Sequence, residues 1–356
     1  MIPFHLHRQF GTDAHIVTYK NSTAYPYLDT ALRGLKLDFI KKSPFGIIAD
    51  GIGYLKKNAK DIDILNIYHL NLSSYFYSIF YKLFNKKGVI YLKVDMNEKG
   101  YRDCFVNDPK GFIKRSTIKR ADIVSVENKR MFEGLKSRFG NKIKFITNGY
   151  YIGDRIQDID EVLSGSERED VILTVGNLGT YEKATDTLLE AFAKSAPYHS
   201  YKLKLIGPVA KDFIAYRDKF MREHEDLKDR IIFTGPVYDK EKLMGEYLKA
   251  RFFTLPSRSE SFGFVLLEAG AFGCILLPSD KCCAALDMTD NGRLGYILKA
   301  DDIQSIADTF KTVTEGNEDL SRLSLKTAEY IRKNYSWENI VTSLYENLSP
   351  TQEVQP

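Results

Sequence analysis

The 356-residue chain contains no apolar run approaching the roughly 18 residues that can span a bilayer as a helix. Its first residues, Met1-Ile-Pro-Phe-His-Leu-His-Arg8, lack the basic-then-apolar order of a secretory signal. The chain is therefore expected to stay in the cytoplasm. Cysteine is scarce: Cys104, Cys274, Cys282 and Cys283 form no C-x-x-C pair, and no paired histidines complete a zinc site. Reduced thiols and no metal centre are the expectation. G-x-G-x-x-G, G-x-x-x-x-G-K-[ST] and H-E-x-x-H are all absent, which removes support for a dinucleotide oxidoreductase, a phosphate-loop NTPase or a zinc peptidase. Tryptophan occurs once, at position 337.

What is present is an ordinary globular composition, 44% hydrophobic and 28% charged, in a chain long enough for two domains. The net charge of +4 hides an asymmetry. Residues 1–150 carry 26 Lys and Arg against 13 Asp and Glu, an excess of +13, and the remainder carries an excess of −9. A half so basic favours an anionic partner, whether nucleic acid, acidic lipid or a phosphorylated substrate. No RNA- or DNA-binding motif accompanies it, so nucleic acid is not expected.

Apolar runs of strand length alternate with helical patterns in two series, the signature of parallel α/β sheets. The first series places strands at His15–Tyr19, Asp63–Ile67, Gly88–Val94, Asp122–Val126 and Lys142–Ile146, with helices over Ser73–Phe84 and Asn128–Phe139. The second places strands at Val171–Val175, Lys202–Ile206, Arg230–Phe233, Phe252–Leu255 and Cys274–Pro278. Its helices are expected over Lys183–Lys194, Asp212–His224, Lys240–Lys249 and Phe264–Phe272, and Leu320–Leu348 is helical by periodicity. The polar stretch Asn148–Asp170 reads as the connection. The expected architecture is two Rossmann-like, doubly wound parallel-sheet domains, 1–150 and 151–334, facing across a cleft, with a helix at about 335–348 crossing back onto the first. Ligands of such sheets bind beyond the carboxyl ends of the strands.

The most informative segment is Leu255-Pro-Ser-Arg-Ser-Glu-Ser-Phe-Gly-Phe-Val-Leu-Leu-Glu-Ala-Gly-Ala-Phe-Gly273. A short strand runs into a Ser-rich turn and then a helix, which Ser259 or Ser261 can cap and Gly273 can close. Gly263 lets backbone approach a ligand, and the helix N-terminus suits a diphosphate. Glu268 sits among apolar residues and needs a partner, either the two hydroxyls of a ribose or a Lys or Arg on a neighbouring element. The second segment is Val171-Ile-Leu-Thr-Val-Gly-Asn-Leu-Gly-Thr-Tyr-Glu-Lys183, a strand, a glycine turn and the start of an amphipathic helix. Lys183 at that helix start opposes the helix dipole, which favours a ligand role.

These segments closely resemble the E-x7-E signature and the opening of the nucleotide-binding domain in the retaining glycosyltransferases of family 4, which have the GT-B fold. The resemblance implies that Glu260 contacts hydroxyls of a donor sugar and Glu268 the ribose. It implies that Ser261, Phe262, Gly263 and Phe264 hold the diphosphate, and that Gly176, Asn177 and Lys183 line the same site. Relatives place Arg where this chain has Asn177, and Arg258 is the candidate to replace the missing charge. Phe233-Thr-Gly-Pro-Val-Tyr-Asp resembles the loop that grips the base, with Val237 and Tyr238 as contacts. In the first half, Asp95 stands where many relatives have His, and His69 is an alternative catalytic group. The relatives' first strand is either missing or rearranged, because the chain starts with helical residues at Pro3–Phe10.

The function implied is retaining, metal-independent transfer from a nucleotide sugar, UDP-sugar foremost, to a saccharide or lipid-linked saccharide. No cofactor is needed. The aromatic and Lys-rich stretch Ser73–Lys87 adds docking on the inner face of an anionic membrane. The alternatives are a non-catalytic GT-B partner subunit and a sugar-nucleotide epimerase on the same fold.

Overall fold

A computed structural model describes residues 1–21, 34–150, 163, 167–316 and 319–348. Much of the expected connection therefore lies outside the described residues. The chain divides into two compact units, Met1–Gly149 with Ser336–Pro356, and Tyr150–Tyr335. Among the described residues no helix is long and apolar enough to cross a membrane.

The first unit opens on α1 (Ile2–Phe10), then β1 (His15–Tyr19), β2 (Lys36–Ile40), α2 (Gly46–Asn58), β3 (Ile64–Tyr68), α3 (Leu72–Phe84), β4 (Val89–Val94), α4 (Glu98–Asp103), α5 (Pro109–Arg120), β5 (Ile123–Val126), α6 (Lys129–Phe139) and β6 (Ile143–Phe145). β3, β4, β5 and β6 pair in that order and are all parallel. β1 and β2 form a further parallel pair among the described residues, so every described strand of this unit lies in a parallel sheet, as expected. β4 reads as a continuous apolar run because both its faces are covered, and only its first residue is incompletely buried. Asn71, Asn97, Asp108 and Asn128 cap α3, α4, α5 and α6 by accepting a backbone N–H three residues on.

The second unit contains β7 (Glu169–Val175), α7 (Thr185–Ser195), β8 (Lys202–Ile206), α8 (Ile214–Glu223), β9 (Ile231–Gly235), α9 (Lys240–Lys249), β10 (Ala250–Leu255), α10 (Phe264–Ala271), β11 (Ile275–Pro278), α11 (Ala285–Met288), α12 (Ile303–Thr314) and α13 (Leu320–Asn334). Its five-stranded parallel sheet has the order β11-β10-β7-β8-β9, a doubly wound arrangement. Successive strand residues feed opposite cores. Leu173, Phe253 and Leu276 pack with Leu266 and Leu267 of α10, while Ile172, Phe252 and Ile275 pack with Phe192 of α7 and Phe310 of α12. Arg168 ties helix ends to this sheet by donating to the carbonyls of Ala250 (2.6 Å) and Phe272 (2.6 Å).

The helical stretch expected over Leu320–Leu348 is divided into two helices. α13 stops at Asn334, and α14 (Trp337–Leu348) begins after Ser336, whose hydroxyl accepts the N–H of Asn339 at 3.2 Å. α14 belongs to the first unit, where Tyr345 stacks on Phe10 at 4.0 Å and Trp337 on His5 at 5.9 Å. Serine's preference for a cap over a helix interior explains the break.

At the carboxyl ends of β7 and β8 two glycine loops meet. Gly207 has φ +141, and a Cβ placed on it would lie 1.9 Å from the carbonyl oxygen of Gly176. Gly207→Ala is expected to lower stability by about 3 kcal/mol in denaturant melts. Gly245→Ala, inside α9 with open space around its Cβ, serves as the control and should be neutral or stabilising by up to about 1 kcal/mol.

Candidate functional site

The loops that follow β7 and β10 carry the residues singled out in the second half. After β7 the chain turns at Gly176, runs through the exposed Asn177 and reaches a short 3-10 turn at Tyr181–Lys183. After β10 it passes Pro256 and Ser257 to Arg258 and Glu260. The backbone N–H of Arg258 donates to the carbonyl of Glu182 at 2.8 Å, which staples one loop to the other. The Arg258 side chain completes the join. It is bidentate to Asp186 (3.0 and 2.8 Å) and donates to Asp301 (2.5 Å), to Thr187 (3.0 Å) and to the carbonyl of Tyr181 (3.0 Å). Burial works to raise the Asp186 pKa, but the Arg258 guanidinium and the backbone N–H groups of Thr187 and Asp186 together hold the carboxyl below its ordinary range.

This corrects the expectation for Arg258. Its donors are committed within the fold, so it does not stand free to replace the charge missing at Asn177. The join instead brings Lys183 to Glu260, with Nζ 2.5 Å from Oε2. Both side chains remain partly open, at 26% and 18% exposure. Glu260 is held from its other side by backbone: its N–H donates to the Lys281 carbonyl at 3.2 Å and its carbonyl accepts from Cys283 at 3.0 Å.

The serine-cap expectation fails too. The N-cap of α10 is Gly263, in the left-handed region at φ 84, and no side chain caps the first turn. Ser261 lies ahead of the cap, Phe262 is buried in the core, and Phe264 is half exposed with its ring edge-on to Phe262 at 5.4 Å. A residue that must turn the chain left-handed is best served by glycine, which contributes no hydroxyl. Gly263 itself offers no side chain to the N–H groups of that turn.

Glu268 lies within α10, four residues into the helix, and accepts the Tyr247 hydroxyl on Oε2 at 3.0 Å. No Lys or Arg ion pair holds it among the described residues. Burial raises its pKa, offset by the Tyr247 hydroxyl and more weakly by Lys240. In the loop after β9, Val237 packs against the core while Tyr238 stands 89% exposed.

The first-half candidates lie at the carboxyl ends of their strands. His69 follows β3 with an exposed side chain and a left-handed φ of 63, its N–H bonded to the Lys93 carbonyl at 2.9 Å. Asp95 follows β4, and Lys93 Nζ lies 3.4 Å from its Oδ1. Beside it is a residue that the motif reading missed. Glu127 follows β5, is fully buried, and takes the Met96 N–H on Oε1 at 3.1 Å. Burial first, and Asp95 second, push its pKa up to about 9, with Lys93 pulling the other way. The signal was a charged residue at each end of an otherwise apolar pattern, Lys93 in Val89-Ile-Tyr-Leu-Lys-Val94 and Glu127 after Ile123-Val-Ser-Val126. The four cysteines are buried and form no disulfide.

With this geometry in hand, comparison with known proteins is informative. The model of the glycosyl transferases group 1 family matches residues 156–333, half of the chain. The D-inositol 3-phosphate glycosyltransferase of Mycolicibacterium smegmatis is 30% identical over 47% of this chain and 37% of its own length. The lipopolysaccharide core biosynthesis mannosyltransferase LpcC of Rhizobium leguminosarum is 26% identical over 46% of each. The chain thus spans less than half the length of these two relatives. Among solved structures, Anabaena Alr3699/HepE in complex with UDP superposes with a TM-score of 0.75 at 16% identity, covering 98% of this chain and 94% of the other. Sucrose-phosphate synthase from Thermosynechococcus elongatus gives 0.72 at 18% identity, covering 98% and 91%. The fold is GT-B.

Glu127 generates a pH prediction. An acid whose folded pKa lies above its unfolded value keeps a proton in the native state that the unfolded state has released. Stability from this group is therefore lost as pH rises from the ordinary 4.5 towards about 9. Glu127→Gln removes that dependence, so the variant should gain melting temperature relative to the parent between pH 5 and pH 9. An equal offset at both pH values would disprove the assignment.

Proposed function

This chain belongs to the glycosyl transferases group 1 family, and on that premise we propose that it transfers a sugar from a nucleotide sugar to a hydroxyl of a saccharide or lipid-linked saccharide, retaining the anomeric configuration as family 4 enzymes do. The observation that carries the proposal is the Lys183–Glu260 contact beside the open N-terminus of α10. A cation and a carboxylate held side by side match a ligand in which an anionic diphosphate adjoins sugar hydroxyls.

In this mechanism Lys183 and the first turn of α10 stabilise charge gathering on the departing diphosphate. Glu260 exchanges Lys183 for hydroxyls of the donor sugar. Glu268 accepts from the ribose hydroxyls, with Tyr247 orienting it from behind, and Tyr238 offers an exposed ring to the base. The bond from the anomeric carbon to the phosphate oxygen breaks, and the acceptor oxygen bonds to the same face. The acceptor proton passes to the leaving phosphate, so no protein nucleophile is required. Lys183 and the helix dipole supply the positive charge, and the reaction is proposed to proceed without a metal ion. A UDP-sugar is the proposed donor, in keeping with the UDP and UDP-glucose bound in the Anabaena neighbour. The exposed Leu72 and Leu83 of α3, with Lys86 and Lys87 after it, favour docking on an anionic bilayer; of the aromatic residues between, Tyr81 is wholly buried and the others half-buried.

A non-catalytic binding subunit is the alternative, favoured by the neutral Asn177 and the commitment of Arg258 elsewhere. The two part on turnover. A panel of UDP-, GDP- and ADP-sugars should include one that raises the melting temperature, since a ligand of the native state stabilises it by mass action. Glu268→Ala should abolish that rise, and undiminished turnover in this variant would sink the site. Lys183→Ala should retain the fold and lose on the order of 10²-fold in kcat. Binding without hydrolysis or transfer would establish the non-catalytic role instead.

A further inference from the structure

The loop after β7 presents a side chain that the donor chemistry leaves unused. Tyr181 stands 73% exposed, two residues ahead of Lys183. Its ring is backed by Arg258, whose guanidinium carbon lies 4.8 Å from the ring centroid. The same arginine donates to the Tyr181 carbonyl at 3.0 Å and, through its backbone N–H, to that of Glu182 at 2.8 Å. The loop ahead of the ring is equally fixed. The Gly179 N–H donates to Thr185 Oγ1 at 2.8 Å, and a Cβ placed on Gly179 would lie 2.3 Å from Phe213. An aromatic ring held rigidly with one face to water loses little freedom when something covers it.

The chemistry of what covers it follows from the surroundings. Glu182, next to the ring, is exposed, and Asp301, which Arg258 reaches at 2.5 Å, is half exposed. Glu182, Asp186 and Asp301 set three carboxylates against one guanidinium in this part of the rim, because Lys183 is paired with Glu260. An anion would meet that excess of negative charge. A second cation would share a ring whose electrons already face a guanidinium. A neutral ligand with an apolar face and hydroxyls at its edge meets neither obstacle: the face lies on the ring, and the hydroxyls donate to the carboxylates. A sugar ring is such a ligand, with C–H bonds grouped on its faces and hydroxyls around its rim.

We propose that Tyr181 is a stacking platform for a sugar unit of a saccharide acceptor, with Glu182 and Asp301 accepting from its hydroxyls. That the sugar belongs to an acceptor rests on the transfer reading above, whereas the platform itself does not. Tyr198 supplies an internal control. It is 60% exposed, with Lys311 3.9 Å over its ring, but it lies in the turn leading into β8. That is the amino end of the sheet, opposite to the end where such sheets bind ligands.

Saturation-transfer difference NMR without nucleotide tests the platform, with maltotriose, cellotriose, chitotriose and mannotriose as probes. At least one should take up saturation at its ring C–H protons from the parent protein, and UDP should not displace it. Tyr181→Ala should weaken its binding about 10-fold. Tyr181→Phe, which keeps the ring, and Tyr198→Ala should leave binding unchanged. Glu182→Gln should weaken it about 3-fold and carries the test if Tyr181→Ala does not fold. No uptake by any of the four sugars, displacement by UDP, binding undiminished in Tyr181→Ala or Glu182→Gln, or binding lost in Tyr181→Phe or Tyr198→Ala overturns the proposal. The melting-temperature rise with a nucleotide sugar is a separate readout. It should persist in Tyr181→Ala, and its loss there would assign the ring to the donor and overturn the acceptor role. Its absence from the parent protein, with trisaccharide binding intact, would count against the donor reading and leave this platform standing.

Discussion

The second unit depends on one arginine. Arg258 reaches from the loop after β10 to Asp186 and Thr187 at the start of α7, to Asp301 ahead of α12 and to the Tyr181 carbonyl. Two loops that leave different strands are thereby held in one relationship, and the Lys183–Glu260 contact is its product. Planarity matters here, because a guanidinium can address a carboxylate in bidentate fashion and still direct its remaining donor elsewhere. An ammonium in that position could not serve so many acceptors at once.

The two units use the carboxyl ends of their parallel strands differently. In the second, glycine turns and an uncapped helix expose backbone N–H groups, and the charged side chains that accompany them are partly open to solvent. In the first, charge is carried inwards: Lys93, Glu127 and Asp95 lie at the ends of β4 and β5 with several polar atoms unpaired. Backbone and partial charges suit a highly charged diphosphate, which brings its own strong field.

Much of this was legible in the residues. Strands buried on both faces appear as apolar runs, so β7, β10 and β11 stood out, and Lys202–Ile206 and Lys240–Lys249 coincide with their elements residue for residue. β2 and α12 escaped because Lys36-Leu-Asp-Phe-Ile40 alternates weakly and Ile303–Thr314 mixes threonine and polar residues with its apolar face. Glu260, Lys183 and Glu268 stood out through the resemblance of their whole segments to the family's motifs, since the spacing of two glutamates alone says little. The errors share a cause. Ser259 and Ser261 look like caps and Arg258 looks like a free cation until the partners are known, and those partners, Asp186 and Asp301, lie 72 and 43 residues away in sequence. Pairings across such separations leave no local pattern.

The contact between the two glycine loops has a consequence for how this site can diversify. With the Gly207 backbone resting against the Gly176 carbonyl, neither loop can change its path without displacing the other. The main chain of these two loops is in effect a shared mould. On the proposed reading, preference among nucleotide sugars falls to side chains that project beyond such a mould, the exposed Asn177 and Tyr238 foremost. Redesign should begin by substituting these two and leave loop lengths alone.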